Sequence, residues 1–250
     1  MTVHIRRELR EHDGMVIVPD DGRRSRQRQL AGDLRALILA GDIATGQRLP
    51  STAELKQRYG VNNMTVTRAL AILKAEGLVE GRQGRSVVAT GRRPAATRAA
   101  LHPPPVARVR LLQVGEVPAP AQVAAAFDLS PGAPVLVRSQ LALLDDEPAE
   151  LVWNHYPVEL ARGTVLAEPR LLPAGSPAVL AELGHPVRSA DDHVSVRPAT
   201  VAEFVALELP GEVPVLRQFR VAYADGRRAV EAGVIIKAGQ RFEIGYDVPL

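Results

Sequence analysis

Along residues 26–89 the apolar positions recur first at helical and then at strand spacing. Leu30, Leu34, Leu37 and Ile38 form one stripe and predict a helix from about Arg26 to Ala40, stopped by Gly41. A second helix starts at Ser51, which with Glu54 has the spacing of a capping box: the hydroxyl takes the third helical N–H and the carboxylate caps back. Gly60 ends that helix, and Asn62 is a good N-cap for a third. There Val66, Ala69, Leu70 and Leu73 share one face and leave the opposite one polar, as far as Gly77. Leu78 and Val79 are then expected to pair with Val87 and Val88 across the tip Gly81-Arg82-Gln83-Gly84-Arg85. Two short helices, a tight turn between them and a small hairpin after them make a winged helix-turn-helix, whose natural partner is duplex DNA.

The flanking pattern differs. Residues 1–24 show little periodicity and read as a flexible basic arm, so the DNA-binding domain is placed at 25–91. Residues 92–105, rich in Arg, Ala and Pro and ending in Pro103-Pro104-Pro105, read as a linker stiffened by polyproline geometry. Beyond it the chain repeats itself. Ala121 to Asp145 and Ala199 to Asp225 each hold a short helix, a Pro/Gly loop, Pro-Val-Leu, an alternating strand and an acidic turn. From Pro134 to Asp145 the offset to the second copy is a constant 80 residues. Further strands are expected at Ala149–Tyr156, Ala229–Lys237 and Arg241–Val248. Helix-then-hairpin units used twice predict an α+β domain with an antiparallel sheet over 106–250.

Charge sharpens this division. The chain has 250 residues, 46% hydrophobic and 24% charged, with a net charge of +3. Residues 1–100 hold 18 basic against 10 acidic residues, whereas 101–250 hold 13 against 18. A basic half carrying a helix-turn-helix suits phosphate; an acidic half should avoid DNA. The absence of cysteine excludes disulfides, thiolate metal sites and thiol nucleophiles. The charged N-terminus is unlike a signal peptide, and no apolar run approaches the roughly 18 residues that span a bilayer. A cytoplasmic protein with no membrane partner is expected.

On the third helix the polar face offers Asn62, Asn63, Thr65, Thr67 and Arg68. Asn reads adenine, Thr meets a thymine methyl or a phosphate, and Arg reads guanine. Asn62 and Thr65 serve either as caps alone or as readers too. In the wing, glycines at 81 and 84 permit a tight turn, while Arg82 and Arg85 project charge toward the backbone or minor groove. Arg48, Ser51, Thr52, Gln83 and Gly84 complete the expected DNA-binding set.

The residues Leu49-Pro50-Ser51, Glu54-Leu55, Gly60-Val61, Met64-Thr65-Val66, Ala69-Leu70, Glu76-Gly77-Leu78 and Arg82-Gln83-Gly84 together resemble the GntR family of bacterial transcription regulators. The family usually carries DNA-touching arginines where this chain has Ala53, Asn63 and Thr67. The resemblance therefore implies the fold with a shifted operator preference, more of the affinity coming from Arg68, the wing and the arm.

The second half resembles the UTRA effector-binding domain of HutC-type GntR regulators, which has a chorismate-lyase-like fold. The likeness rests on Gly132-Ala133-Pro134-Val135-Leu136 leading to Arg138, on Glu147-Pro148, on Asp225-Gly226 through Glu231, and on Gln240-Arg241-Phe242. It implies that Arg138 and Glu231 line a small-molecule pocket. Strand alternation adds Asn154, on the face of Val152. Phosphosugar-binding members often show Arg-x-Arg; here Leu136 precedes Arg138, which implies a less charged ligand. Arg138 and Glu231 could instead pair with each other or with surface partners. Trp153 reads as a core or pocket-wall residue, and His155, His185 and His193 with Asp191 and Asp192 match no metal spacing.

The sequence thus reads as a ligand-responsive DNA-binding regulator, a repressor acting as a homodimer on a near-palindrome, with an unidentified small-molecule effector. No catalytic residue, cofactor or metal is expected. The alternatives are a ligand-independent architectural or plasmid-control DNA binder, and a small-molecule enzyme on the C-terminal fold, against which stands the lack of any phosphate loop or triad signature.

Overall fold

The computed structural model describes residues 26–82, 86–90, 95–98, 108–211 and 213–245. The chain divides into two compact units, 1–91 and 92–250.

In the first unit α1 (Arg26–Ala40), α2 (Thr52–Tyr59) and α3 (Asn63–Ala75) precede β1 (Val79–Arg82) and β2 (Ser86–Ala89). The apolar stripes are its core: Leu30, Leu34, Leu55, Val66, Ala69, Leu73 and Leu78 are buried together, with Leu37, Ile38 and Leu70 at the margin. The capping box forms, with Ser51 Oγ accepting from the Glu54 N–H at 3.3 Å and Glu54 Oε2 from the Ser51 N–H at 2.7 Å. The helix α2 stops where Gly60 takes φ 61°, a left-handed conformation that a Cβ resists.

The wing corrects the expected pairing. Val87 and Val88 face Gly81 and Glu80, while Val79 faces Ala89 and the Leu78 carbonyl accepts from Thr90 at 2.9 Å. This register differs from the expected one by two residues, so the same strand faces meet the core, and Val79 and Ala89 are buried in it. Residues 46–49 add to the far side of β2: the Gly46 N–H donates to Ala89 O at 2.8 Å and the Leu49 N–H to Val87 O at 2.9 Å. Strand β1 already includes Gly81 and Arg82, so the tip is shorter than expected. Gln83, Gly84 and Arg85 lie outside the described residues, as do the arm 1–24, Pro103-Pro104-Pro105 and Val248.

The second unit contains β3 (Ala95–Arg98), β4 (Arg108–Pro118), α4 (Ala121–Ala126), β5 (Pro134–Leu144), β6 (Glu147–Pro157), α5 (Val158–Ala161) and a 3-10 turn at Val165–Ala167. Then come α6 (Gly175–Glu182), β7 (Ser189–Arg197), α7 (Val201–Ala206), β8 (Val215–Tyr223), β9 (Ala229–Ala238) and β10 (Phe242–Gly245). Six strands form one antiparallel sheet in the order β4-β5-β6-β9-β8-β7. That order is mirrored about the seam between β6 and β9. Each repeat is longer than the sequence suggested, because β4 precedes α4 just as β7 precedes α7. One sheet face carries α4 and the segment around α7, through Val123, Ala124, Leu207 and Leu209. The other carries α5, the 3-10 turn and α6, which bury Leu160, Leu166, Val179 and Leu180 against Leu136 and Tyr156.

Within residues 92–105, read as a linker, β3 pairs in parallel with β10, apart from the main sheet.

Candidate nucleic-acid interface and ligand pocket

Asn62 caps α3. Its Oδ1 accepts from the Thr65 N–H at 2.9 Å and from the Thr65 hydroxyl at 3.0 Å. That oxygen is therefore committed, and Asn62 is poorly prepared for two-pronged reading of adenine, which needs it free. Asn63, Thr67 and Arg68 are exposed on the outward face. The Thr67 hydroxyl donates back to Asn63 O at 3.0 Å, which leaves its methyl as the group to meet a base. Arg48, Ser51 and Thr52 are exposed where the chain enters α2, and Arg48 bridges to Val88 in the wing through its backbone.

Sequence reasoning passed over two residues here. Met64 is 57% exposed among the polar readers. Its spacing, off the stripe through Val66 and Leu73 and one turn before Arg68, is the signal that could have found it. Glu76, at the C-terminus of α3, is buried and takes a two-pronged ion pair from Arg35 of α1. No local pattern links residues that far apart in the chain.

In the second unit the strand register lays Val114, Arg138, Asn154, Gly233, Arg220 and Asp192 in one row across the sheet. Arg138 and Asn154 are thus brought side by side. Glu231 sits in the next row, beside Tyr156. Arg138 and Glu231 do not pair with each other. The Tyr156 hydroxyl donates to Glu231 Oε2 at 2.8 Å. Burial pushes the Glu231 carboxyl above the usual carboxylate range, against hydrogen bonds from Ser176 and Tyr156 that pull it down. Burial likewise raises the Tyr156 phenol, and the Glu231 charge adds to that rise.

Arg138 is 4% exposed, and its guanidinium donates to the backbone carbonyls of Leu166 at 2.6 Å, Glu168 at 2.9 Å and Arg170. Burial lowers its pKa. Among the described residues it forms no ion pair with a carboxylate. Its neighbours in the fold do: Arg220 holds Asp192 at 2.7 Å, and Lys237 holds Glu150. Among the described residues, the hydrogen-bond acceptors that face this buried cation are backbone carbonyls.

The remaining candidates fall elsewhere. Trp153 packs with the core on the opposite face. On that face too His155 is buried, its Nδ1 3.0 Å from Ala232 O, and burial holds its pKa below the usual imidazole value. Asp191 and Asp192 pair with Arg227 and Arg220. Among the described residues no group of three or more His, Asp or Glu could hold a metal ion, and no helix is long and apolar enough to cross a membrane.

Residues 26–88 match the family of bacterial regulatory proteins named gntR, and residues 106–243 match the UTRA domain, which alone covers more than half of the chain. The chain belongs to the GntR regulators with a UTRA domain. A relative, an uncharacterized HTH-type transcriptional regulator of Streptomyces coelicolor, is 28% identical over 88% of this chain and 91% of its own. Another, from Rhizobium meliloti, is 35% identical over 53% of this chain and 58% of its own. A crystal structure assigned to the GntR-family transcriptional regulators superposes with a TM-score of 0.57 at 25% identity, covering 91% of this chain and 98% of that one. PhnF from Mycobacterium smegmatis shares the fold at 20% identity, with a TM-score of 0.57 over 88% of this chain and 99% of its own. This GntR–UTRA protein is a DNA-binding transcriptional regulator with an effector domain, not an enzyme.

Proposed function

We propose that this regulator is a cytoplasmic repressor that binds a near-palindromic operator as a homodimer, with DNA read by the units at 25–91. A small monocarboxylate bound in the unit at 106–250, against Arg138 and Asn154, sets its affinity for that operator. Two recognition helices related by a dyad would enter successive major grooves. Ligand acts by binding one state of the dimer better than another, and reciprocity requires that DNA alter ligand affinity by the same factor.

The observation that carries the ligand class is the state of Arg138. Burying an ion costs several kcal/mol, which carbonyl dipoles offset only in part. A carboxylate matches a guanidinium with two parallel hydrogen bonds and completes the charge balance. The second arginine in the row, Arg220, is already paired with Asp192, which leaves Arg138 as the guanidinium of that row without a carboxylate partner among the described residues. That suits a monoanion better than a phosphate dianion.

Titrating a panel of small monocarboxylates and sugar phosphates against the protein–operator complex tests this reading. A member of the first class should change operator affinity by about 5- to 150-fold, the usual range of allosteric coupling. Arg138→Met should lose that response. A response confined to sugar phosphates, or retained in Arg138→Met, contradicts it.

A further inference from the structure

The first turns of α3 spend their hydroxyl donors on the helix itself. The Thr65 hydroxyl donates to Asn62 Oδ1 at 3.0 Å, and the Thr67 hydroxyl donates to Asn63 O at 3.0 Å. Asn62 Oδ1 also accepts from the Thr65 N–H. A threonine hydroxyl bonded back to the preceding turn leaves the γ-methyl as that residue's outer group. What α3 then presents outward is the Asn63 amide, the Met64 thioether, the Thr67 methyl and the Arg68 guanidinium, all on exposed residues.

Met64 occupies the middle of that face. It is 57% exposed, whereas Val66, Ala69 and Leu73 of the same helix are fully buried. Methionine is ordinarily an interior residue, yet a single exposed apolar side chain on an arbitrary surface carries no message. Here the position decides. At about 100° per residue Met64 projects roughly 140–180° away from Ala69, Val66 and Leu73, so it lies opposite the core. Residues three and four apart on a helix are neighbours, with Cβ atoms about 5–6 Å apart, which sets Met64 beside both Thr67 and Arg68. Met64 and the Thr67 methyl therefore form a small apolar patch, with Asn63 on one side of it and Arg68 on the other. The major groove offers one apolar group to such a patch, the C5-methyl of thymine. An unbranched, polarizable thioether adapts its shape well to a methyl group.

We propose that Met64, with the Thr67 methyl beside it, is a specificity-determining residue that reads thymine C5-methyl groups in each operator half-site. This rests on the reading of α3 as the helix that enters the major groove. The separation of about 5–6 Å between the two side chains matches thymines one or two base steps apart, at about 3.4 Å per step along a strand. Discrimination here needs no hydrogen bond. Cytosine and uracil both lack the methyl, so either leaves the patch against water or an empty gap. Asn63 and Arg68 flank the patch and read neighbouring bases through their polar edges.

The probe is the duplex that the full wild-type chain selects from random DNA. Each thymine in it is replaced singly by deoxyuridine, which removes the C5-methyl and keeps the pairing edge. At one or two positions per half-site this should weaken wild-type binding about fourfold, the factor that burial of one methyl-sized group gives. In Met64→Ala the penalty at one of these thymines should vanish. In Thr67→Ser, which keeps the hydroxyl and loses the methyl, the penalty at the other should vanish. Thr67→Val, which keeps a methyl there, should respond to deoxyuridine as wild type does. Equal affinity for thymine and deoxyuridine at every position overturns the proposal, and so does a full set of penalties that survives in Met64→Ala. Asn63→Ala and Arg68→Ala tell apart the two ways of failing. A changed selected site in those variants, with no deoxyuridine penalty in wild type, keeps α3 as the reader and removes Met64 from it. An unchanged site in all the α3 variants, or no preferred site in wild type, overturns the reading of α3 and the proposal together.

Discussion

Arg35 and Glu76 bolt α1 to the end of the recognition helix, Nε to Oε2 at 2.7 Å and Nη2 to Oε1 at 2.5 Å. The Glu76 side chain is 1% exposed and that of Arg35 31%. The pair joins the helix that anchors the unit to the one that reads DNA, so it sets where α3 lies. Glu76→Leu should destabilise the DNA-binding unit by about 1.5–3 kcal/mol, because it removes two charge-assisted hydrogen bonds from a part-buried Arg35. The double variant Arg35→Met with Glu76→Leu should recover part of that loss. Denaturant unfolding of the full chain measures both; a neutral single variant would mean the pair bears no load.

On the reading face, Arg68→Ala should cost about 1–3 kcal/mol and relax preference at one operator position. Arg85→Ala should weaken all sequences alike and lower the salt slope by about one. Selection of binding sites from random DNA, with each variant, separates the two. If neither changes binding, the assignment of this surface is wrong.

Asn62 and Asn63 are neighbours with different tasks. Asn62→Ala should cost about 1 kcal/mol of stability through the lost cap and leave sequence preference intact. Asn63→Ala should leave stability unchanged and alter preference for adenine at one position. The reverse pattern would contradict the geometry of the cap.

The helices of the DNA-binding unit were legible because their signals are local: a stripe at 3.6-residue spacing, a capping box, glycines at the stops. The wing register was not, since two registers two residues apart put the same side chains on the core face, and hydrophobic alternation cannot tell them apart. In the effector unit the two hairpins were visible through their alternation. Strands β4 and β7 escaped notice as sheet edges, where sequences such as Ser189-Ala190-Asp191-Asp192-His193 carry polar residues on both faces. The pairing of β3 with β10 joins distant parts of the chain through short, unremarkable sequences. Arg138, Asn154 and Glu231 were named by resemblance and alternation. What Arg138 touches depends on backbone carbonyls of a segment with no side-chain signature.

Burial of His155 gives the effector unit a pH dependence of known sign. Its folded pKa lies below the unfolded value near 6.5, so the unfolded chain binds the proton first as pH falls. The stability it contributes is complete above about pH 6.5 and is lost as pH drops through the folded value. Thermal unfolding of wild type against His155→Asn, from pH 7.5 down to 5, should show a wild-type loss on acidification that the variant lacks. Parallel curves would contradict a buried neutral imidazole.

The most direct test of a sequence-specific regulator is footprinting of the full chain on DNA upstream of its own gene, across a salt series and against scrambled competitor. A protected near-palindrome, with half-sites about one helical turn apart and persisting over competitor at moderate salt, is the predicted result. Protection that is diffuse, falls steeply with salt and is removed equally by scrambled DNA would contradict it, and would mark the chain as a sequence-blind binder.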